Sequence, residues 1–368
     1  MIKVESKQKE KCLMKWFNPQ CEPFRISGFP FYEQDRVYRR MPLNTAEALP
    51  EAVYGLADET AGGQIRFHAK LKDLAIQVSL AAKPAFFANI KSPHLAVTSK
   101  SAFDLYLSKD GKDYVFYNVA KGMNETDRFY THKFVDFQEA EEVDVLLNFP
   151  LYGGVDKILI GVDDEAEISA PHYQFRTNKK IAIYGGSIEQ GACASRPGMC
   201  FTNMLSRWLD TEFYDFGFNS SGKGEPEVAK AIAGVPDLSA LIITMEGNCP
   251  DGAWLEEKLR EFIKIFRKEY PVAPVIVMPF FFSGQDMLHP WWHSQREEKL
   301  TAQEKVVAER KTAGDENIYL FYKNDTLPQS VMDHSVWHEA TVDGLHCTDL
   351  GYYWVAEKLA AFLKELGL

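Results

Sequence analysis

Three short segments in the second half of the chain carry side chains able to do nucleophilic chemistry. The first is IAIYGGSIEQG, Ile181–Gly191, in which Ser187 follows an apolar run and two glycines. A serine placed there sits on a tight strand-to-helix turn, with its hydroxyl exposed and its backbone N–H beside others aimed at the same spot. The same position suits an ordinary helix N-cap, and the run is not G-x-S-x-G, so it is not a standard α/β-hydrolase elbow. The second segment is Asp343-Gly344-Leu345-His346. A serine hydroxyl is a poor nucleophile until a base takes its proton, and the imidazole that does so needs a carboxylate to fix its tautomer. Asp and His three residues apart on one turn can converge on a serine from another loop. Alone, the segment reads equally as a surface turn before a helix cap, because Asp349 follows close behind. The third is Glu246-Gly247-Asn248, directly after the apolar run ALIITM. A side-chain amide at a sheet edge can donate to a developing oxyanion, although a turn asparagine is the plainer reading.

These residues need elements to hold them, and the pattern changes character near residue 178. Before it lie short β-rich runs: Gln64–Lys70, Ala75–Leu80, Phe103–Ser108, Tyr114–Asn118, Glu142–Asn148 and Lys157–Val162. Several alternate apolar and polar residues, as strands with one solvated face do, and Asp110-Gly111 between two of them signals a hairpin. No long helical period interrupts them, so residues 1–178 read as an antiparallel β-sandwich, jelly-roll-like. From 179 to 368 strands and helices alternate. Lys180–Tyr184, Thr211–Phe218, Ala240–Met245, Val272–Phe282 and Asn317–Tyr322 are the strand candidates. Between and after them come helical periods at Cys200–Leu209, Glu225–Ala233, Ala253–Tyr270, Ser294–Lys311 and Leu350–Leu366. In the third, Trp254, Leu255, Leu259, Phe262, Ile263 and Phe266 recur at helical spacing. Alternation of this kind predicts an α/β domain, a parallel sheet covered on both faces in three layers. The aromatic-rich stretch Ser283–Ser294 follows a strand and is expected as an insertion at the carboxyl edge of the sheet, where ligands bind.

Taken jointly, the order Ser, then Asn, then Asp-x-x-His on loops of one α/β half resembles the SGNH (GDSL-type) serine hydrolase family. The resemblance covers roughly residues 178–368 and implies a flavodoxin-like parallel sheet. GGSI looks like the family's first block, with Ser187 as nucleophile, and EGN like its third, with Asn248 as oxyanion donor. DGLHCTDLGY is similar to the fifth and is the most specific match, implying Asp343 and His346 as the rest of a triad. The second block is irregular. In FGFNSSGKG the family's glycine falls near Ser220, with Gly222 two residues on, and the resemblance leaves both as candidates for the second backbone donor beside the Ser187 N–H. The N-terminal half also resembles the β-sandwich that precedes some members of the family, and SAFDLY (Ser101–Tyr106) is similar to its G-x-D-L-Y motif with alanine in place of glycine. What the family implies is two-step acyl transfer to water with no metal or organic cofactor, on an ester of a small acyl group such as acetyl with a carbohydrate or other hydroxylated molecule. Longer-chain lipase, lysophospholipase or thioesterase action, and a glycan-binding protein that has lost turnover, are the alternatives.

Composition agrees with a globular enzyme. The chain has 368 residues, 46% hydrophobic and 25% charged. At roughly 150 residues per domain that length accommodates two domains. The 41 basic and 52 acidic residues leave a net charge of −11. Without a basic block such a chain repels phosphate backbones and anionic lipid, so neither nucleic acid nor membrane is an expected partner. The expected partner is the ester substrate, and the sandwich leaves room for a homo-oligomer. No signal-peptide pattern or spanning run is visible, which makes a cytoplasmic location the expectation. The six cysteines form no CxxC pair and read as reduced thiols. His289/His293 and His334/His338 have H-x-x-x-H spacing but lack a HExxH frame, and they read as loop histidines rather than metal ligands. Trp291 and Trp292 are candidates for substrate binding, because aromatic faces stack on sugars and apolar groups alike.

Overall fold

The computed structural model describes residues 14–45, 47–82, 92–173, 175–279, 288–321 and 337–368. The N-terminal half builds an antiparallel sheet of eight strands: β1 (Met14–Phe17), β2 (Arg25–Ser27), β3 (Gln64–Leu80), β4 (Asp104–Ser108), β5 (Val115–Val119), β6 (Phe129–Asn148), β7 (Val155–Asp163) and β8 (Glu167–Ser169). Their order is β1-β7-β3-β6-β4-β5, with β2 and β8 also on β3. Short helices α1 (Tyr32–Asp35), α2 (Glu51–Leu56) and α3 (Val97–Lys100) lie in the connections.

The two runs expected at Gln64–Lys70 and Ala75–Leu80 are one strand, not two. A bulge between Leu71 and Asp73 joins them, and Asp163 Oδ2 accepts the freed Lys72 and Asp73 N–H groups at 2.7 and 3.0 Å. The extra residue shifts the alternation by one. Ile65, Phe67, Ala69 and Leu71 before the bulge and Leu74, Ile76, Val78 and Leu80 after it therefore bury into one core. Each half of β3 has its own neighbours, β2 and β8 before the bulge and β7 after it. Both turn the same face inward, as the layers of a sandwich do. The expected hairpin is present as β4–β5 with Gly111 at φ +71°. Its loop is longer than two residues, because Asp110 Oδ1 gathers the Lys112 and Asp113 N–H groups before β5 starts.

The second half contains β9 (Lys180–Gly185), β10 (Glu212–Gly217), β11 (Ala240–Thr244), β12 (Val275–Val277) and β13 (Ile318–Leu320), all parallel and ordered β10-β9-β11-β12-β13. That is the flavodoxin-like order. The helices are α4 (Ser187–Gln190), α5 (Phe201–Leu209), α6 (Pro226–Ala233), α7 (Gly252–Glu269), α8 (Pro290–Thr312) and α9 (Asp349–Glu365). Alternate residues of β9 face opposite layers. Ile181 and Ile183 join a core with Phe201, Leu205, Val355 and Leu359 of α5 and α9. Ala182 and Tyr184 join one with Ile232, Leu259, Phe262 and Val306 of α6, α7 and α8. A strand buried on both faces reads as a continuous apolar run, which is why KIAIY was legible.

Two expectations need correction. Trp254 follows the helical period of α7 but stays 42% exposed, because it lies in the first turn and its indole N–H reaches the Lys223 carbonyl at 3.1 Å. Trp291 and Trp292 do not lie in an insertion loop. Pro290 occupies the first helical position, where its missing N–H costs nothing, so α8 begins there and both tryptophans belong to its first turn. Residues 283–287 of that stretch fall outside the described residues, as do 280–282 at the end of the fourth strand candidate and His334.

Candidate active site

Strand β9 ends at Gly185, and Gly186 turns the chain into α4, whose first residue is Ser187. Both glycines are required by close approach. A Cβ on Gly185 would sit 2.3 Å from a Glu189 carboxylate oxygen, and one on Gly186 would sit 2.3 Å from the Asn248 amide nitrogen. Glu189 lies under this turn, 3% exposed. Its Oε2 accepts the Gly186 N–H at 2.7 Å and its Oε1 the Thr244 hydroxyl at 2.9 Å. Burial pushes the Glu189 carboxyl up to about 7 in spite of those donors. Two tyrosines hold the short helix through its carbonyls. Tyr152, from the N-terminal half, donates to the Ser187 carbonyl at 3.1 Å, and Tyr352 of α9 donates to the Ile188 and Ala192 carbonyls at 3.1 and 2.7 Å.

The loop before α9 brings the imidazole to this turn. Thr341 pairs with Cys347 across a small hairpin, closed by Val342 N–H to the His346 carbonyl at 2.8 Å. Gly344 takes φ +84° at its tip, a conformation natural to glycine. Asp343 Oδ1 accepts the Leu345 and His346 N–H groups at 3.1 and 2.8 Å. Its Oδ2 lies 2.7 Å from His346 Nδ1, and His346 Nε2 lies 2.9 Å from Ser187 Oγ. Partial burial would raise the Asp343 carboxyl, but the His346 backbone N–H and ring, with the Leu345 N–H, outweigh it and hold the group below its ordinary value. An ionised carboxylate only accepts, so the imidazole proton belongs on Nδ1, and Nε2 is free to take a proton from the serine.

Asn248 stands after β11, on the short helical turn 246–248. Its amide donates to the Ser221 carbonyl, which ties it to the loop after β10. That loop holds both block-two candidates. Ser220 has φ +57° and an exposed side chain, and Gly222 has φ +74°, where an added Cβ would sit 2.1 Å from the Gly185 carbonyl oxygen. A Ser221 N–H to Phe218 carbonyl bond of 2.9 Å closes a turn with Ser220 at its left-handed third position, the place where glycine is usual. Gln190 joins the pieces. It accepts the Asn219 N–H at 2.9 Å and donates to the Leu151 carbonyl at 3.2 Å and to Glu59.

The N-terminal half is built into this site. Asp104 of the SAFDLY run is fully buried and accepts Asn148 Nδ2, Arg196 and the Gly198 N–H at 2.8, 3.0 and 2.7 Å. It pins the loop that follows α4, which Thr98 also holds through the Ser195 carbonyl at 2.7 Å. Arg40, also fully buried, reaches the Gly217 carbonyl and lies 3.6 Å from Asp215 at the end of β10. None of Tyr152, Gln190 or Arg40 stood out in the sequence. Tyr152 and Arg40 lie far from the motifs along the chain, and Gln190, inside GGSIEQG, has partners only the fold supplies.

The other candidates stand apart. Trp291 and Trp292 are 62% and 45% exposed and pack edge to face on each other. No hydrogen bond or ring contact among the described residues links them to Ser187, Asn248 or His346. The described cysteines are all free. Burial pushes the thiols of Cys193, Cys200 and Cys249 up to about 12 and raises that of Cys347 as well, which disfavours a thiolate nucleophile. A groove of about 620 Å³ lined by Phe175, Lys180, Glu212 and Asp237 lies at the opposite, amino-terminal edge of the parallel sheet. No helix among the described residues is long and apolar enough to cross a membrane.

Residues 178–364 match the model of the GDSL-like lipase/acylhydrolase family, and residues 14–168 match that of the N-terminus of SGNH-hydrolase-type esterases, GxDLY. No curated protein matches the chain. Among solved structures, a protein from Bacteroides ovatus described as a GDSL-like lipase is 26% identical, with a TM-score of 0.84 over 96% of this chain and 98% of its own. A salicylyl-acyltransferase from a tetracycline biosynthetic pathway shares the fold at 16% identity and a TM-score of 0.72, over 96% and 98% of the two chains. An acetyl xylan esterase from the rumen bacterium Butyrivibrio proteoclasticus does so at 12% and 0.56, over 96% and 99%. The chain thus belongs to the GDSL-like lipase/acylhydrolase family and is an ester hydrolase with an N-terminal antiparallel β domain.

Proposed function

We propose that the chain is a serine esterase that removes small acyl groups, acetyl foremost, from a carbohydrate or another hydroxylated small molecule. The observation that carries the mechanism is the unbroken relay from Ser187 Oγ through His346 to Asp343, at 2.9 and 2.7 Å. His346 Nε2 takes the serine proton as Oγ attacks the ester carbonyl. Asp343 holds the ring in its tautomer and stabilises the imidazolium that forms. The oxyanion is received by the Ser187 N–H, the N–H of Ser220 or Gly222 and the Asn248 amide. Each such donor contributes on the order of 10²–10³ in turnover. The imidazolium protonates the leaving alcohol, and water, deprotonated by His346, releases the acid.

The sugar-like alcohol draws on the exposed Trp291–Trp292 pair, which makes no contact with Ser187 among the described residues but is suited to stacking on sugar faces, and the small acyl group on the fold shared with an acetyl xylan esterase. The second is fold-level analogy and weighs less. The test is hydrolysis of p-nitrophenyl esters from acetyl to long acyl chains by wild type and Ser187→Ala. The expected result is a fall in kcat/KM with chain length and a loss of about 10³-fold or more in the variant. Near-normal turnover by Ser187→Ala would remove the serine mechanism. Faster turnover of long chains would remove the small-acyl reading and leave a lipase.

A further inference from the structure

Two side chains from distant parts of the sequence meet the catalytic imidazole of His346. His94 stands just before α3 in the N-terminal half, Cys193 in the loop after α4, and His346 before α9. A ligand atom from each lies within 4.8 Å of the other two, and the His94 and His346 rings stack at 5.7 Å. Cys193 is 8% exposed and holds φ +67°. None of the three was marked as a metal ligand by its spacing along the chain.

We propose that His94, Cys193 and His346 form a site for a thiophilic divalent cation of the zinc type, and that its occupancy switches the esterase off. The donor set of two imidazoles and one thiolate is the chemistry zinc and cobalt select, and it is foreign to magnesium or calcium. Ligand atoms around tetrahedral zinc stand about 3.3–3.8 Å apart, so closure from at most 4.8 Å asks for a movement of about 1 Å. His94 is exposed and can supply it. The reason for inhibition is the geometry of His346. Its Nδ1 is engaged by Asp343 at 2.7 Å, which leaves Nε2 for the cation, and Nε2 is the atom that takes the Ser187 proton. Metal ligation and general-base catalysis compete for one lone pair. On binding, the cation replaces the Cys193 thiol proton, which leaves to solvent, one per ion bound. The Asp343 carboxylate, 2.7 Å from His346 Nδ1, adds a favourable charge beside the site.

The proposal rests on the serine-esterase reading for its consequence but not for the site itself, and the experiment separates them. Chelator-treated wild type is titrated with Co²⁺ and followed by near-ultraviolet absorption, where a cobalt–thiolate bond gives a charge-transfer band. In parallel, p-nitrophenyl acetate turnover is titrated with Zn²⁺ and then with a chelator. The expected result is a band at one equivalent, absent in Cys193→Ser, and reversible inhibition by Zn²⁺. Cys193→Ser and the surface variant His94→Asn should keep metal-free turnover within about twofold and need at least about tenfold more Zn²⁺ for half inhibition, about 1.4 kcal/mol of binding. Absence of the band, or Zn²⁺ inhibition unchanged in both variants, would overturn the proposal. A band in a protein that hydrolyses no ester would uphold the site and refute the esterase reading instead.

Discussion

Substitution of Gly186 by alanine probes the oxyanion arrangement through a single methyl group. The added Cβ would lie 2.3 Å from Asn248 Nδ2, against 3.4 Å for ordinary contact, so the amide must retreat by about 1.1 Å. The atom that yields is the far end of a side chain, and the fold should tolerate it. The main loss is the bond to the Ser221 carbonyl, about 1 kcal/mol. Catalysis should not tolerate it. A misplacement of about 1 Å in a reacting group costs about 10²-fold, equivalent to about 2.7 kcal/mol of barrier. Steady-state kinetics on p-nitrophenyl acetate should therefore show kcat about 10²-fold lower with little change in KM, while urea denaturation shows a small stability change. Because Gly186 also precedes Ser187, a double-mutant cycle is decisive. Asn248→Ala alone should cost about 10²–10³, and adding Gly186→Ala to it should cost almost nothing more, since the group it displaces is gone. Wild-type turnover in Gly186→Ala, or losses that simply multiply in the double variant, would refute this account of Asn248.

Two further expectations concern the support of the site. Arg40→Ala strips a fully buried cation from Asp215 and from the Gly217 carbonyl. Breaking such a pair costs about 3–5 kcal/mol, which urea denaturation would register, and a loss below about 1 kcal/mol would show that the Arg40 contacts are not structural. Glu189 predicts a pH effect of definite sign. Burial raises its folded carboxyl from 4.5 to about 7, so between those values the folded chain keeps a proton that the unfolded chain has released. Stability then falls as pH rises through that window and levels off above it. Thermal denaturation of wild type should lose ground against Glu189→Gln between pH 5 and 7.5, whereas parallel curves would contradict the buried carboxyl.

The residues of the proposed site were legible in the sequence because each is placed by local geometry. Gly185-Gly186-Ser187 makes its turn with bonds inside α4, and Asp343 reaches His346 across a turn whose glycine is adjacent. The alternation of β9 to β13 with helices is equally local, since a strand buried on both faces has to be apolar throughout. The merging of two runs into β3 was not legible, because a bulge held by Asp163 depends on a residue some ninety positions away. Nor was the start of α8 at Pro290. The deeper gap is the join between the two halves. The sequence by itself singled out Ser187, Asn248, Asp343 and His346 as candidates, because residue type and short-range spacing carry that information. Only the tertiary structure decided that Tyr152, Asp104 and Arg40 of the β domain hold the Ser187 turn and its neighbouring loops, and that His94 and Cys193 stand beside His346. Those contacts join residues about 35 to 250 positions apart. Packing sets such pairs, and no local spacing records them.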